Sequence, residues 1–219
     1  GNVAVQNAKV TYFGSEATLR ADASDKGNGG SVIVWADDTT RAYGKIAARG
    51  GANGGDGGFV EASGRHHLDF QADVTTQAPM GATGRLLLDP TNVYIASNQV
   101  NATAAGMVGT DISVDASGPV LFQTGGTPTD SLLTVGNLQS ALASNAVTVS
   151  TTSSGAGSGN IFVVDPVSWT AANDLTLSAN NNIFLDAALS GNNAGIVLSG
   201  IGLSQAPGAL ITADRLKIA

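Results

Sequence analysis

An all-β fold of stacked parallel coils is predicted by three observations. First, residues 29–51 and 57–79 are imperfect copies of one pattern. Gly29-Gly30-Ser31-Val32-Ile33-Val34 falls on Gly57-Gly58-Phe59-Val60-Glu61-Ala62 at an offset of 28, and Ile46 and Ala48 fall on Val74 and Thr76. Self-similarity at such a period marks units that bury their apolar face only against neighbours. Second, apolar and polar residues alternate in short runs, the period of a strand with one face buried. Third, only 12% of residues are charged and 29 are glycine, whereas ordinary globular domains carry about a quarter charged residues.

The candidate strands run the length of the chain. Val3/Val5, Val10/Tyr12, Ala17/Leu19, Val32/Val34 and Ile46/Ala48 come first, followed by Val60/Ala62, Leu68/Phe70 and Val74/Thr76. Leu86/Leu88, Val93/Ile95, Ile112/Val114 and Val120/Phe122 occupy the middle. Val147/Val149, Ile161/Val163, Leu175/Leu177, Ile183/Leu185, Val197, Leu203, Leu210 and Leu216/Ile218 complete the set. Glycine, Asn, Asp and Ser between the runs supply left-handed backbone and Asx turns. Two-residue hairpin signals are scarce, so these turns read as corners of a coil. Residues 131–144 break the rhythm: Val135, Leu138, Ala141 and Leu142 recur at helical spacing and predict one short helix. The Gly/Ser-rich segments 49–58 and 151–159 are expected to protrude as loops. The chain reads as one solenoid segment over 1–219, with 96–130 as the place of any subdivision.

Composition excludes several functions. The net charge is −7 and the 10 basic residues are scattered, with no cluster to neutralise a run of phosphates, so nucleic acid is not an expected partner. With no cysteine there are no disulfides, thiolate metal sites or thiol nucleophiles. No run of 18 apolar residues predicts membrane insertion. The chain opens and closes within the strand pattern, the expectation for a piece of a longer protein.

No constellation carries chemistry. His66 and His67 are strand neighbours pointing to opposite faces, so they do not chelate one metal, and a surface turn is the expected role. Residues 50–58 fail the calcium nonapeptide register, with Asn53 in place of its third glycine and Asp56 one position late. Carboxylates that could serve a glycosidase or lyase are Asp37, Asp38, Glu61, Asp69, Asp73 and Asp89, but few bases or aromatic platforms accompany them. Ser63 lacks a nucleophile elbow. Trp35 is expected outward or under a loop, and Trp169 is a second candidate binding aromatic. Asn101-Ala102-Thr103 is a glycosylation sequon. Asn180–Asn182 and Asn192–Asn193 read as turn residues able to stack between coils. No catalytic, cofactor-binding or metal-binding residue is expected, and the chain is not expected to be an enzyme.

The motifs together resemble the filamentous-haemagglutinin-like exoproteins of bacterial two-partner secretion. The carriers are Gly57-Gly58-Phe59-Val60-Glu61-Ala62-Ser63-Gly64 and Leu87-Leu88-Asp89-Pro90 with Asn92-Val93-Tyr94-Ile95. They continue through the Leu138–Leu142 helix, Val147-Thr148-Val149, Gly159-Asn160-Ile161, Trp169, Leu175–Ala179 and Asn182–Leu185. The likeness covers about residues 27–200. It implies a right-handed parallel β-helix in a secreted, cell-surface filamentous adhesin. The implied partners are a host or neighbouring-cell receptor or glycan, and the flanking coils of the parent chain. The family's amino-terminal secretion-targeting domain has no counterpart here, so docking to an outer-membrane transporter is not expected. Two other readings stand beside it: a carbohydrate-active β-helix enzyme using Glu61, Asp69 or Asp89, and a filament subunit that self-associates end to end.

Overall fold

The computed structural model describes residues 6–109, 130–151 and 157–219. They form nineteen strands and two helices. After β1 (Val10–Phe13) and β2 (Thr18–Arg20), the first repeat holds β3 (Ser31–Ala36), β4 (Thr39–Ala42) and β5 (Lys45–Ala47). The second holds β6 (Phe59–Gly64), β7 (His67–Phe70) and β8 (Asp73–Thr75). Next come β9 (Arg85–Asp89), β10 (Asn92–Ala96), α1 (Gln99–Ala104), β11 (Asp130–Thr134) and α2 (Val135–Ser144). The chain ends with β12 (Ala146–Ser150), β13 (Ile161–Val163), β14 (Val167–Trp169), β15 (Leu175–Ser178), β16 (Asn182–Leu185), β17 (Leu189–Ser199), β18 (Gly202–Gln205) and β19 (Ile211–Ile218). The expected strands at Val3/Val5, Ile112/Val114 and Val120/Phe122, and residues 152–156 of the second loop, lie outside the described residues.

The fold is mostly β, and these strands pair in parallel throughout. The 28-residue offset is the register itself. Val32 pairs Val60 in one sheet, Thr40 pairs Leu68 in a second, and Ile46 pairs Val74 in a third. Successive strands therefore enter different sheets, and every third strand is a hydrogen-bonded neighbour: β1-β4-β7, β2-β5-β8 and β3-β6-β9. The last of these continues through β12, β15 and β17. β17 bends midway, pairing β14 at Leu189–Gly191 and β15 at Ile196–Ser199. Asn193, at φ 68, occupies that bend, in the left-handed region that Asn tolerates.

Alternation decides which residues meet. In β6, β9, β12 and β15 the inward pairs are Val60/Ala62, Leu86/Leu88, Val147/Val149 and Leu175/Leu177, all 0–2% exposed. Each buried Leu or Val contributes about 1.5–3 kcal/mol of transfer free energy. Parallel ladders superpose these side chains, so one continuous core runs from Phe13 to Ala209.

The glycine-rich segment 49–58 does not protrude as expected. Its backbone is hydrogen-bonded to the equivalent connections on both sides: Gly27 N–H to Gly54 C=O, Gly29 N–H to Asp56 C=O, Gly50 N–H to Gln77 C=O and Gly57 N–H to Ala82 C=O. Side chains add to the stack, with Asn53 Nδ2 donating to Asp25 and Asp56 N to Asn28. Glycine is required because neighbouring backbones nearly touch. A Cβ on Gly57 would lie 1.7 Å from Thr76 O.

The predicted helix is α2, and its buried residues are Val135, Leu138, Ala141 and Leu142. Residues 131–134, read as part of it, belong instead to β11, and the N-cap Thr134 accepts a hydrogen bond from Asn137 N. A second helix, α1, was not anticipated; Asn98 caps it, and it packs on β10. α2 packs against β8 and β14, and the fully buried Asn145 fastens its end. The Asn145 amide donates to Val74 O and Ala141 O, both at 2.8 Å, and accepts from Thr76 Oγ1 at 2.9 Å.

One strand is out of sequence order. β11 pairs β10 and on its other side packs against β7. That second joint is made through side chains: Leu68 N–H donates to Ser131 Oγ at 3.0 Å, and His67 Nδ1 donates to Asp130 O at 3.1 Å. The sheet containing β1, β4 and β7 therefore ends at β7, and a separate sheet, β11-β10-β13-β16-β18, begins beside it.

Candidate functional site

Three surfaces gather the residues that sequence reasoning singled out. The first is the outward face of the long sheet. Trp35 lies between buried Val34 and Ala36 and so faces away from the core, half-buried as expected. Its indole Nε1 donates to Asp37 Oδ1 at 3.3 Å. The register places Trp35, Ser63 and Asp89 in one row, with Glu61 in the neighbouring row. Ser63 Oγ donates to Glu61 Oε1 at 2.9 Å. Glu61 and Asp89 thus share a face, whereas Asp69 is on β7 and Asp73 on β8, in other sheets. Of the three acids named by the enzyme reading, Glu61 and Asp89 lie on one sheet and Asp69 on another.

Asp89 is the perturbed carboxyl here. Burial, and secondarily the charge of Glu61, raise its pKa from 3.8 to about 6, and Oδ1 is buried without a hydrogen-bond partner. The folded state therefore holds a proton that the unfolded chain releases near pH 4. This contribution to stability is complete below about pH 4 and is lost as pH rises through about 6. The shift sets a ceiling of ~3 kcal/mol; because Asp89 is only half-buried, solvent screening reduces this to about 1 kcal/mol. Asp89→Asn is expected to raise the melting temperature at neutral pH and to have little effect at pH 4. Thermal scans across that range check it, and equal shifts at both ends would refute the ionisation argument.

The second surface is a buried polar row on β4 and β7. Thr39 is opposite His67 and Arg41 opposite Asp69, and all four are nearly inaccessible. His67, expected at a surface turn, is 3% exposed, while His66 keeps the surface role and donates from Nδ1 to Asp38 Oδ1 at 3.0 Å. Burial holds the His67 imidazole below its usual 6.5. Its Nδ1 faces a carbonyl and must carry the proton, which leaves Nε2 unprotonated and unpartnered. Asp69 accepts from Tyr43 Oη and from Gln71 Nε2. Among the described residues no group of three or more His, Cys, Asp or Glu is arranged to hold a metal ion.

The third surface went unnoticed in the sequence. A groove of about 830 Å³ runs across three successive connections, lined by Arg20, Asp22 and Ser24, then Arg49, then Gln77 and Thr83. Arg20 and Arg49 converge on the Asp22 carboxylate at 3.0 and 3.1 Å. Their hydrogen bonds, Arg49's first, hold Asp22 at about 2. Arg49 and Asp22 are 27 residues apart, close to the repeat, which is the one signal that could have paired them.

The remaining candidates make contacts within the fold. Trp169 is buried, donates from Nε1 to Asn173 O at 2.9 Å, and packs on Gly191, where a Cβ would meet its ring at 2.5 Å. The Asn101 amide donates to Asp165 Oδ2 at 2.8 Å. Of the asparagines expected at turns, Asn182 begins β16 and Asn192 and Asn193 lie within β17. The asparagine bridges to neighbouring strands come from Asn92, whose Oδ1 accepts from Asn160 N, and from Asn160, whose Oδ1 accepts from Asn182 N. No helix among the described residues is long and apolar enough to cross a membrane. In comparison with known proteins, no protein-family model and no curated protein matches this chain.

Proposed function

We propose that the chain is a structural and adhesive segment of a secreted bacterial cell-surface exoprotein, wound as a right-handed parallel β-helix and not acting as an enzyme. The carrying observation is the common 28-residue register of β3/β6, β4/β7 and β5/β8 in three different sheets. A chain that visits three faces in fixed order and returns one strand further along is building a shaft, and a shaft extends and presents its sides. The superposed aliphatic rows and the glycine-filled connections supply its stiffness. The resemblance carried by Gly57–Gly64 and Leu87–Pro90 supplies the setting: secretion, the bacterial surface, and a receptor or glycan as partner. Electron microscopy of the parent protein at near-atomic resolution, with an adhesion assay on cells from which it has been deleted, tests this reading. A globular particle, or unchanged adhesion, refutes it.

End-to-end self-association is a second reading favoured by one observation. Beside the buried residues of β16 and β17 stand exposed apolar residues on β18 and β19: Leu203 next to Ile183, Leu216 next to Ile196 and Ile218 next to Leu198. The outer edge of such a strand offers unpaired backbone groups to another chain. Sedimentation at increasing concentration decides it, since a strictly monomeric species throughout eliminates the subunit reading.

A further inference from the structure

Among the described residues, the lining of the Arg20–Asp22–Arg49 groove holds two guanidiniums and one carboxylate. Two guanidiniums share a single carboxylate, and their side chains remain 62% and 45% exposed. Asp22 uses both oxygens on them and on the Arg49 backbone N–H. Each guanidinium has five N–H donors in a planar fork, and only two of each are engaged with Asp22. The remaining donors and one net positive charge border a concavity of ligand size, about 830 Å³, within the range of known small-molecule sites. The nearby Asp25 carboxylate is turned to the Asn53 amide.

The chemistry of the lining selects among anions. The backbone of the groove floor is committed internally, with Ala23 N–H on Arg49 C=O and Gly50 N–H on Gln77 C=O. An extended peptide therefore finds no strand edge to join, and it finds no deep apolar pocket for its side chains. The lining offers hydroxyls and an amide from Ser24, Thr83 and Gln77, with apolar surface from Ala23, Ala52, Ala78 and Pro79 on which the flat faces of sugar rings can rest. Hydroxyl partners distributed along a shallow trough, with a carboxylate receptor at one end, match a sugar chain bearing an acid group. A run across three successive connections suits an oligomer better than a single sugar.

We propose that this groove binds an acidic oligosaccharide, one uronate carboxylate seated on Arg20 and Arg49 and the ring hydroxyls on Ser24, Gln77 and Thr83. The assignment names a ligand for the presenting surface argued above and rests on that reading for its biological setting. Binding itself is read on the isolated chain, so a chain that binds uronates while the parent forms no fibre leaves the site standing and removes only the setting.

Calorimetric titration of the full chain with an oligogalacturonate, the neutral galactose oligomer of equal length and an acidic peptide of equal charge tests the proposal. The acidic sugar is expected to bind at least ~10-fold more tightly than either control, and added salt should weaken it. Arg49→Gln and Arg20→Gln should each reduce affinity by roughly 10-fold, the loss of about one charge-assisted contact. Arg20 is the more exposed, so Arg20→Gln decides the matter if Arg49→Gln disturbs the fold. Absence of oligogalacturonate binding, equal binding of the neutral sugar or the peptide, or full affinity in Arg20→Gln overturns the assignment.

Discussion

Gly57→Ala is expected to destabilise the protein by about 3 kcal/mol or more, at the upper end of the overpacking range. A methyl group there would lie 1.7 Å from Thr76 O and 2.4 Å from Gly84 N. Those two atoms are themselves joined by a 2.8 Å hydrogen bond, so the methyl would displace a bond between neighbouring backbones. No side chain is available to move aside. Gly136→Ala is the matched control. It lies in α2 with nothing within 4 Å of the added Cβ, and a gain of about 0.5–1 kcal/mol is expected from helix propensity and a stiffer unfolded chain. Urea unfolding midpoints measure both. A Gly57→Ala protein within ~1 kcal/mol of the parent would mean that the connections are looser than their hydrogen bonds imply.

The second large effect is expected at Asn145. Its side chain satisfies Val74 O, Ala141 O and Thr76 Oγ1 in a site with no access to water. Asn145→Ala strands three polar groups at once, and a loss of about 3 kcal/mol or more follows from their desolvation. Asn145→Asp preserves the shape but sets a carboxylate against two carbonyl oxygens. It should be at least as damaging at neutral pH and recover partly in acid, where a protonated carboxyl can donate to one of them. If Asn145→Asp matches the parent at neutral pH, the hydrogen bonds are not what holds α2 to β8.

The legible parts of this fold are those in which one face is buried and the other wet. Val32/Val34 and Val60/Ala62 announce β3 and β6, and the spacing of Val135, Leu138, Ala141 and Leu142 announces α2, because local period reports local burial. β4 gave no such signal: Thr39 and Arg41 on its outward side are as buried as Thr40 and Ala42. The repeat could have found it, since the 28-residue offset carries His67–Phe70 back onto Thr39–Ala42. The connections were misread because glycine-rich sequence usually means freedom, whereas here it serves close approach. The groove was missed because it exists only when residues from three successive connections are brought side by side. The position of β11 was beyond reach for the same reason, since Ser131 and Asp130 meet β7 across more than sixty residues.

That position constrains how the molecule can be made. A chain growing from its amino end produces β7, then β9 and β10, and only after more than thirty further residues the strand that must lie between β7 and β10. β10 therefore cannot take the vacancy beside β7 without having to leave it again. Assembly along this side must pause with a gap one strand wide, while β9 is free to join β6 at once. The wait ends when Asp130 and Ser131 arrive, at the entropic cost of joining strands more than sixty residues apart in the chain. Strand-by-strand assembly from one end is thus interrupted at a place fixed by the topology of the described strands, and the slowest step of folding is expected there.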